Sequence, residues 1–325
     1  MPVKSVGFAI GNLRARENRM LKKSDMLRLA AASDTDELAA ALSDCGIDKK
    51  DGAEIPEMLS AETEKLWKYL TDNAPDMSLF EPFIYENDFH NFKAVLKGTV
   101  RNRDYGRLLI TPASVDVVLL ERAVKEKRFD LLPEFMKKPA AEAYDILIKT
   151  GDSQLADCVI DAGQMTARLK KAKELDNPLV LRLVTVSVFY SNIKAALRAA
   201  RAGKGRQFLE TVLTDTGVCD KAKMVSAALE GEEKLLELLS SKPEMGGDKA
   251  AECYRENPWK FEKFADDFLT ASAGRCRYIT IGAEPLVGYM IAKKTEIKNL
   301  GIIYSGVKTG QPSEKIIERL RELYG

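Results

Sequence analysis

The chain has 325 residues and a mass of 36.1 kDa, long enough for two or three domains, each with a core of its own. Its 50 Lys and Arg stand against 49 Asp and Glu, with the signs mixed along the sequence, which argues against a nucleic-acid protein with its concentrated positive charge. The five cysteines include no Cys-x-x-Cys pair, so neither a zinc knuckle nor a disulfide framework is suggested, and reduced thiols in a cytosolic setting are expected.

The first predicted helix starts behind Pro2 and carries the phrase NLRA, Asn12 to Ala15, with Val6, Ile10 and Leu13 on one face and Glu17 out of register. The stretch MPVKSVGFAIGNLRARENRM lacks the apolar core and small-residue cleavage site of a signal peptide. A shorter helix follows over SDTDELAAALSDCG, where Asp34 and Glu37 are spaced as a capping box and Gly46 acts as a stop. A long helix then opens at Pro82 and contains YENDFHNFKAVLK, in which Tyr85, Phe89, Phe92 and Leu96 fall on one face.

GRLLITP at 106–112 and RYITIG at 277–282 look extended, but with no evident partners they are read as connections. VDVVLLERAVKEKRFDLLPEF reads as another of the shorter helices, and AEAY at Ala141 to Tyr144 returns as AECY at Ala251 to Tyr254. Asn177 is a good N-cap for the long helix that opens at Pro178. Its stretch PLVLRLVTVSVFY comes nearest to a membrane span, yet it is too short and carries Arg182. Further along, NIKAALR repeats NFKAVLK after 101 positions, and the apolar stripe moves with it to Val186, Tyr190, Ile193 and Leu197.

The last long helix opens at Glu284-Pro285, with a carboxylate at the positive end of the helix dipole. Placing Glu296 opposite Asn192 gives an offset of 104 and a stripe of Met290, Lys294, Ile297 and Gly301 that holds at two of four positions. The chain closes on the helical pattern SEKIIERLREL. Four Pro-started helices therefore predict an all-α fold of three similar helical units, since a period near 100 residues is too long for the usual solenoid repeat. The units expected are 1–80, completed by the C-terminal helix at about 305–325; 81–177; and 178–283; residues 284–325 supply the closing long helix and the C-terminal helix.

Chemistry-bearing motifs are sparse. The one histidine, His90, lies on a predicted helix between Phe89 and Asn91 and reads as structural or solvent-facing. AGKGR at 202–206 and SGVKTG at 305–310 do not fit a phosphate loop and read as cation-bearing loops or helix ends. Ser191-x-x-Lys194 with Lys308-Thr309-Gly310 mimics two boxes of a serine acyl-transferring enzyme, but the third box is missing. Asp266 with Asp267 and Glu232 with Glu233 read as solvated helix faces. No catalytic residue, cofactor site or metal site is expected from these patterns.

The stretch GAEPLVGYMIAKKTEIKNLGIIYSGVKTGQPSEKIIERL at 282–320 resembles the end of the C subunit of the V-type and archaeal A-type ATPases, the homologue of the d subunit of the eukaryotic V-ATPase. Glu284-Pro285-Leu286, Tyr289, Ala292-Lys293, Glu296 to Leu300, Ile316 and Leu320 carry the resemblance. NLRARENRML at Asn12 to Leu21, the SDMLRL helix and YENDFHNFKAVLK extend it over nearly the whole chain. One departure is Gly301, where members of the family often carry a basic residue; a glycine inside a helix also costs roughly 1 kcal/mol relative to alanine.

The resemblance implies a funnel-like body of three helical domains in pseudo-threefold arrangement, without an active site. It would sit peripherally on the cytoplasmic side of the membrane, as a socket between the central-stalk subunits and the proteolipid ring, binding neither nucleotide nor nucleic acid. Arg14, Lys93, Lys194 and Lys298 are then candidate contacts at the rim of such an interface. The alternative from another class is a soluble helical scaffold that binds peptides or proteins and has no relation to a membrane ring.

Overall fold

A computed structural model describes residues 6–47, 54–280 and 282–324, and all regular structure among them is helical. In chain order the helices are α1 (Val6–Glu17), α2 (Lys23–Ala30), α3 (Thr35–Asp44), α4 (Ile55–Asn73), α5 (Glu81–Arg101), α6 (Val117–Lys125), α7 (Glu134–Thr150) and α8 (Ser153–Glu174). There follow α9 (Pro178–Arg201), α10 (Arg206–Val212), α11 (Lys221–Glu230), α12 (Glu232–Ser240), α13 (Gly247–Glu256), α14 (Pro258–Gly274), α15 (Glu284–Lys308) and α16 (Ser313–Arg319). The chain divides into two compact units, Met1–Met77 with Lys249–Gly325, and Ser78–Asp248.

Local chemistry sets where the helices begin. Asp34, Asp116, Asp152, Asn177, Asp220 and Asn257 each accept a hydrogen bond from a backbone N–H of the first turn they precede. Pro82, Pro178 and Pro285 stand in the first turn of α5, α9 and α15, as the long-helix pattern requires. Pro2 lies outside the described residues, and α1 is described from Val6. Glu37 does not close a capping box on Asp34; it reaches one residue further back, accepting from the Ser33 N–H at 2.8 Å and the Ser33 hydroxyl at 2.6 Å. Gly46 does stop α3, at φ +79°, while the Ile47 N–H returns to the Leu42 carbonyl at 3.0 Å.

Two expected elements differ in extent. The VDVVLLERAVKEKRFDLLPEF stretch is broken: α6 ends at Lys125, Lys127 takes a positive φ of 56°, and Pro133 caps a fresh helix, α7. The apolar PLVLRLVTVSVFY stretch runs on into a helix of 24 residues, long and apolar enough by length and composition to cross a membrane. In this fold α9 is a core helix, with Leu183, Val184, Val186, Val188 and Phe189 all buried within the Ser78–Asp248 unit.

In that unit Phe89, Phe92, Val95 and Leu96 of α5 pack with Leu120 and Val124 of α6, Met136 and Leu147 of α7, and Val159 and Ile160 of α8. The crossing of α7 and α8 is close because Gly163 has no side chain: a Cβ there would lie 2.4 Å from the Cβ of Pro139. Arg168 of α8, 4% exposed, donates to the Pro82 carbonyl at 2.9 Å and pairs with Glu86 at 2.6 Å. In the other unit Met26, Leu29, Leu38, Leu42 and Met58 share one cluster with Leu300, Ile303, Val307 and Ile316, so segments from both ends of the chain build a single core.

The repeated phrase has a structural purpose. Asn91 donates its Nδ2 to the Ile110 carbonyl at 2.9 Å and accepts the Ile110 N–H at 2.8 Å. Asn192 does the same with Thr214, whose N–H it accepts at 3.0 Å while donating to the same residue's carbonyl. Asn299 clamps Arg321 likewise, at 2.9 and 2.7 Å. Each buried amide thus satisfies both backbone groups of one residue in the segment that returns along a long helix. The third copy of the phrase is therefore registered on Asn299 and not, as the sequence pattern suggests, with Glu296 opposite Asn192. With that shift the clamp stands 14 residues after the helix-opening proline in both α9 and α15. It also explains why α16 stops at Arg319, short of the predicted helix end, since Arg321 is held in the clamp. Asn12 of α1 makes a different contact, donating to the Asn73 side chain at 3.1 Å.

Candidate functional site

A polar row on α15 runs through Tyr289, Lys293, Glu296 and Asn299, all facing the inside of their unit at helical spacing. Glu296 is fully buried; it pairs with Lys293 at 2.5 Å and accepts the Leu21 N–H at 2.9 Å. Lys293 also reaches Glu62 of α4 at 3.2 Å, and Glu62 is held by Lys65 at 2.8 Å. Burial alone would lower the Lys293 ammonium, but Glu296 and Glu62 together hold it above the ordinary lysine value. Burial likewise opposes ionisation of Glu62, yet Lys65 and Lys293 keep it below the usual carboxylate range. One turn earlier on α15, the Tyr289 hydroxyl accepts Arg16 Nε at 3.3 Å, and Arg16 lies 4.3 Å above the Tyr69 ring. This row ties α1, α4 and α15 together, and such buried ion pairs fix geometry more than they add net stability.

The four cations singled out by sequence are engaged within the chain. Arg14 pairs with Glu17 at 2.7 Å and donates to the Arg277 carbonyl at 2.6 Å; Lys93 pairs with Asp161; Lys298 pairs with Asp266 at 2.5 Å. Lys194 also has a contact, and it lines a cavity of about 350 Å³ with Cys158, Asp161 and Met165. His90 is exposed and its Nε2 lies 2.8 Å from the Leu108 carbonyl. The Ser191 hydroxyl donates to the Ser187 carbonyl one turn back at 2.9 Å, and Lys308 donates to the Tyr304 hydroxyl at 3.1 Å, so neither is arranged as a nucleophile with its base. Among the described residues no group of three or more His, Cys, Asp or Glu is placed to hold a metal ion.

Sequence reasoning passed over Glu62 and Arg168, and it named Lys293 and Glu296 for the family resemblance without the ion pair between them. The available signal was a Lys and a Glu three residues apart, Lys293 and Glu296, just after the apolar run PLVGYMIA, where a charge must find a partner. Their remote partner Glu62 leaves no trace in local pattern.

The family model ATP synthase (C/AC39) subunit matches residues 9–319 of this chain. The chain belongs to the ATP synthase C/AC39 family. It is also similar to the C subunit of the V-type sodium ATPase of Enterococcus hirae, 21% identical over 323 residues that cover 96% of this chain and 97% of that protein. Members of this family are subunits of the V-type ATPase complex, and the row of Tyr289, Lys293, Glu296 and Asn299 lies on the part of α15 that carries the resemblance.

Proposed function

We propose that the chain is a non-catalytic central-rotor subunit of a V- or A-type rotary ATPase or ATP synthase. In this reading it is the socket that couples the central stalk to the membrane proteolipid ring during ATP-linked proton or sodium transport. The observation that carries the reading is the asparagine clamp on α5, α9 and α15, recurring within a chain matched almost end to end by the family. It supports a body of three related helical units in pseudo-threefold arrangement, two of them within Ser78–Asp248 and the third built from both ends of the chain. Repeated faces suit a partner that is itself rotationally repetitive. Close-packed helices joined by buried clamps resist compression, as a part that transmits torque requires.

The partners are then the stalk subunits and the ring, with the chain bound peripherally on the cytoplasmic side. Arg14, Lys93, Lys194 and Lys298 serve as rim contacts by exchanging their present partners for ones on a neighbouring protein of the complex. The test is affinity purification of the tagged chain from mildly solubilised native membranes, followed by intact-complex mass spectrometry. Stalk and ring proteins come with it in this account. A chain that stays wholly soluble and alone, while the rest of the ATPase is intact, returns the function to a scaffold unrelated to the membrane.

A further inference from the structure

A cavity of about 380 Å³ opens beside the α15 row, within the unit built from Met1–Met77 and Lys249–Gly325. Four cations, Arg16, Arg19, Lys65 and Lys293, line it against two carboxylates, Glu62 and Glu296. Both carboxylates are already committed. Glu62 takes Lys65 and Lys293, and Glu296 takes Lys293 and the Leu21 N–H.

Among the described residues the guanidinium of Arg16 is held by neutral groups, the Tyr289 hydroxyl at its Nε and the Tyr69 ring beneath it. That arrangement fixes the plane of the fork and leaves the N–H groups of its two Nη atoms unspent. Two other guanidiniums set into the protein are treated differently: Arg168 and Arg321 each hold a carboxylate, at 2.6 and 2.8 Å. Among the described residues Arg19 has no ion pair and no side-chain hydrogen bond. Two uncompensated forks on one small cavity, one of them oriented by aromatic contact, are the donor set that recognises an oxyanion in bidentate fashion. The volume suits a small ligand or a single acidic group.

We propose that this cavity binds an oxyanion, a phosphate or carboxylate group, in the fork of Arg16 with Arg19 closing over it. The shared chemistry admits two sources, a free phosphate-bearing small molecule or the acidic side chain of a partner protein. The full-length chain is titrated with inorganic phosphate by calorimetry, with ionic strength held constant by sodium chloride so that screening does not contribute. Saturable one-site binding is expected. Arg16→Lys, which keeps the charge but loses the fork, should weaken it by about tenfold or more. Arg19→Gln, at an exposed position that leaves folding intact, should weaken it severalfold, and Arg206→Gln in the other unit should leave it unchanged. Displacement of the phosphate by a glutamate-rich peptide at constant ionic strength assigns the site to a partner's acidic group; resistance to the peptide assigns it to a small-molecule phosphate. Absence of saturable binding, or equal affinity in wild type, Arg16→Lys and Arg19→Gln, overturns the proposal.

Discussion

The side-chain amide of Asn192 makes a complete pair of hydrogen bonds with the backbone N–H and carbonyl of Thr214 although 22 residues separate them, and the asparagine is fully buried in doing so. Truncating Asn192 leaves a buried N–H and a buried carbonyl without partners, each costing about 1–3 kcal/mol. Asn192→Ala is therefore expected to lower unfolding stability by on the order of 3 kcal/mol. Asn12→Ala, at an exposed contact with Asn73, should change it by less than about 1 kcal/mol. Denaturant titration of the two variants separates them; equal losses would contradict a structural role for the clamp.

Two glycines in long helices should respond in opposite senses to alanine. A Cβ on Gly301 would meet nothing within 4 Å, so Gly301→Ala should stabilise the protein by about 1 kcal/mol through helix propensity. A Cβ on Gly163 would clash with the Pro139 ring, so Gly163→Ala should destabilise by about 1–3 kcal/mol. Thermal unfolding of both variants checks the pair of signs.

The buried row on α15 predicts a large penalty for removing one partner. Lys293→Met leaves Glu296, fully buried, with the Leu21 N–H as its one partner among the described residues, and the expected loss is about 3–5 kcal/mol. Lys65→Met removes an exposed cation from Glu62 and should cost under about 1 kcal/mol. Denaturation midpoints of the two variants provide the comparison.

The same row sets a pH dependence on both sides. Lys293 is raised in the folded state, so its contribution is complete below the unfolded lysine value of about 10.4 and is lost as pH rises through the folded value. Glu62 is lowered, so its contribution is present above about pH 4.3 and is lost as pH falls through its folded value. Stability measured against pH should decline at both extremes. Glu62→Gln should flatten the acid limb, and an unchanged acid limb would contradict the assignment.

Cys276 is fully buried, and burial, with Glu284 adding to it, pushes its thiol up to about 12. It should resist a thiol reagent in the native protein at pH 8 and react only on unfolding, whereas Cys45, half-buried, reacts without unfolding. Mass spectrometry of the labelled peptides reads the difference.

What was legible in the sequence was what acts locally. Asn177 before Pro178 marks a helix start because the cap and the first turn are neighbours, and the stripe of Tyr85, Phe89, Phe92 and Leu96 reports a buried face because helical period is a short-range property. The phrase shared by Asn91 and Asn192 was visible, but its purpose was not, since the clamped residues lie 19 and 22 positions away. That distance also explains the mistaken third register: IK of EIKN matches IK of NIKA by letter, while the equivalent residue, Asn299, is recognised only by its grip on Arg321. Lys298 drew notice as a candidate rim contact, whereas the place of Lys293 at the centre of the buried charge network is set by the approach of Glu62 from α4, which no local pattern reports.

The most direct test of the coupling role is a single-particle reconstruction of the rotary ATPase purified from native membranes of the source cell. The account predicts density for this chain on the cytoplasmic end of the proteolipid ring, with the central stalk seated in it and the long helices α5, α9 and α15 related by an approximate threefold axis. A fully assembled complex in which stalk and ring meet without this chain, or one that carries it away from the rotor axis, would contradict it.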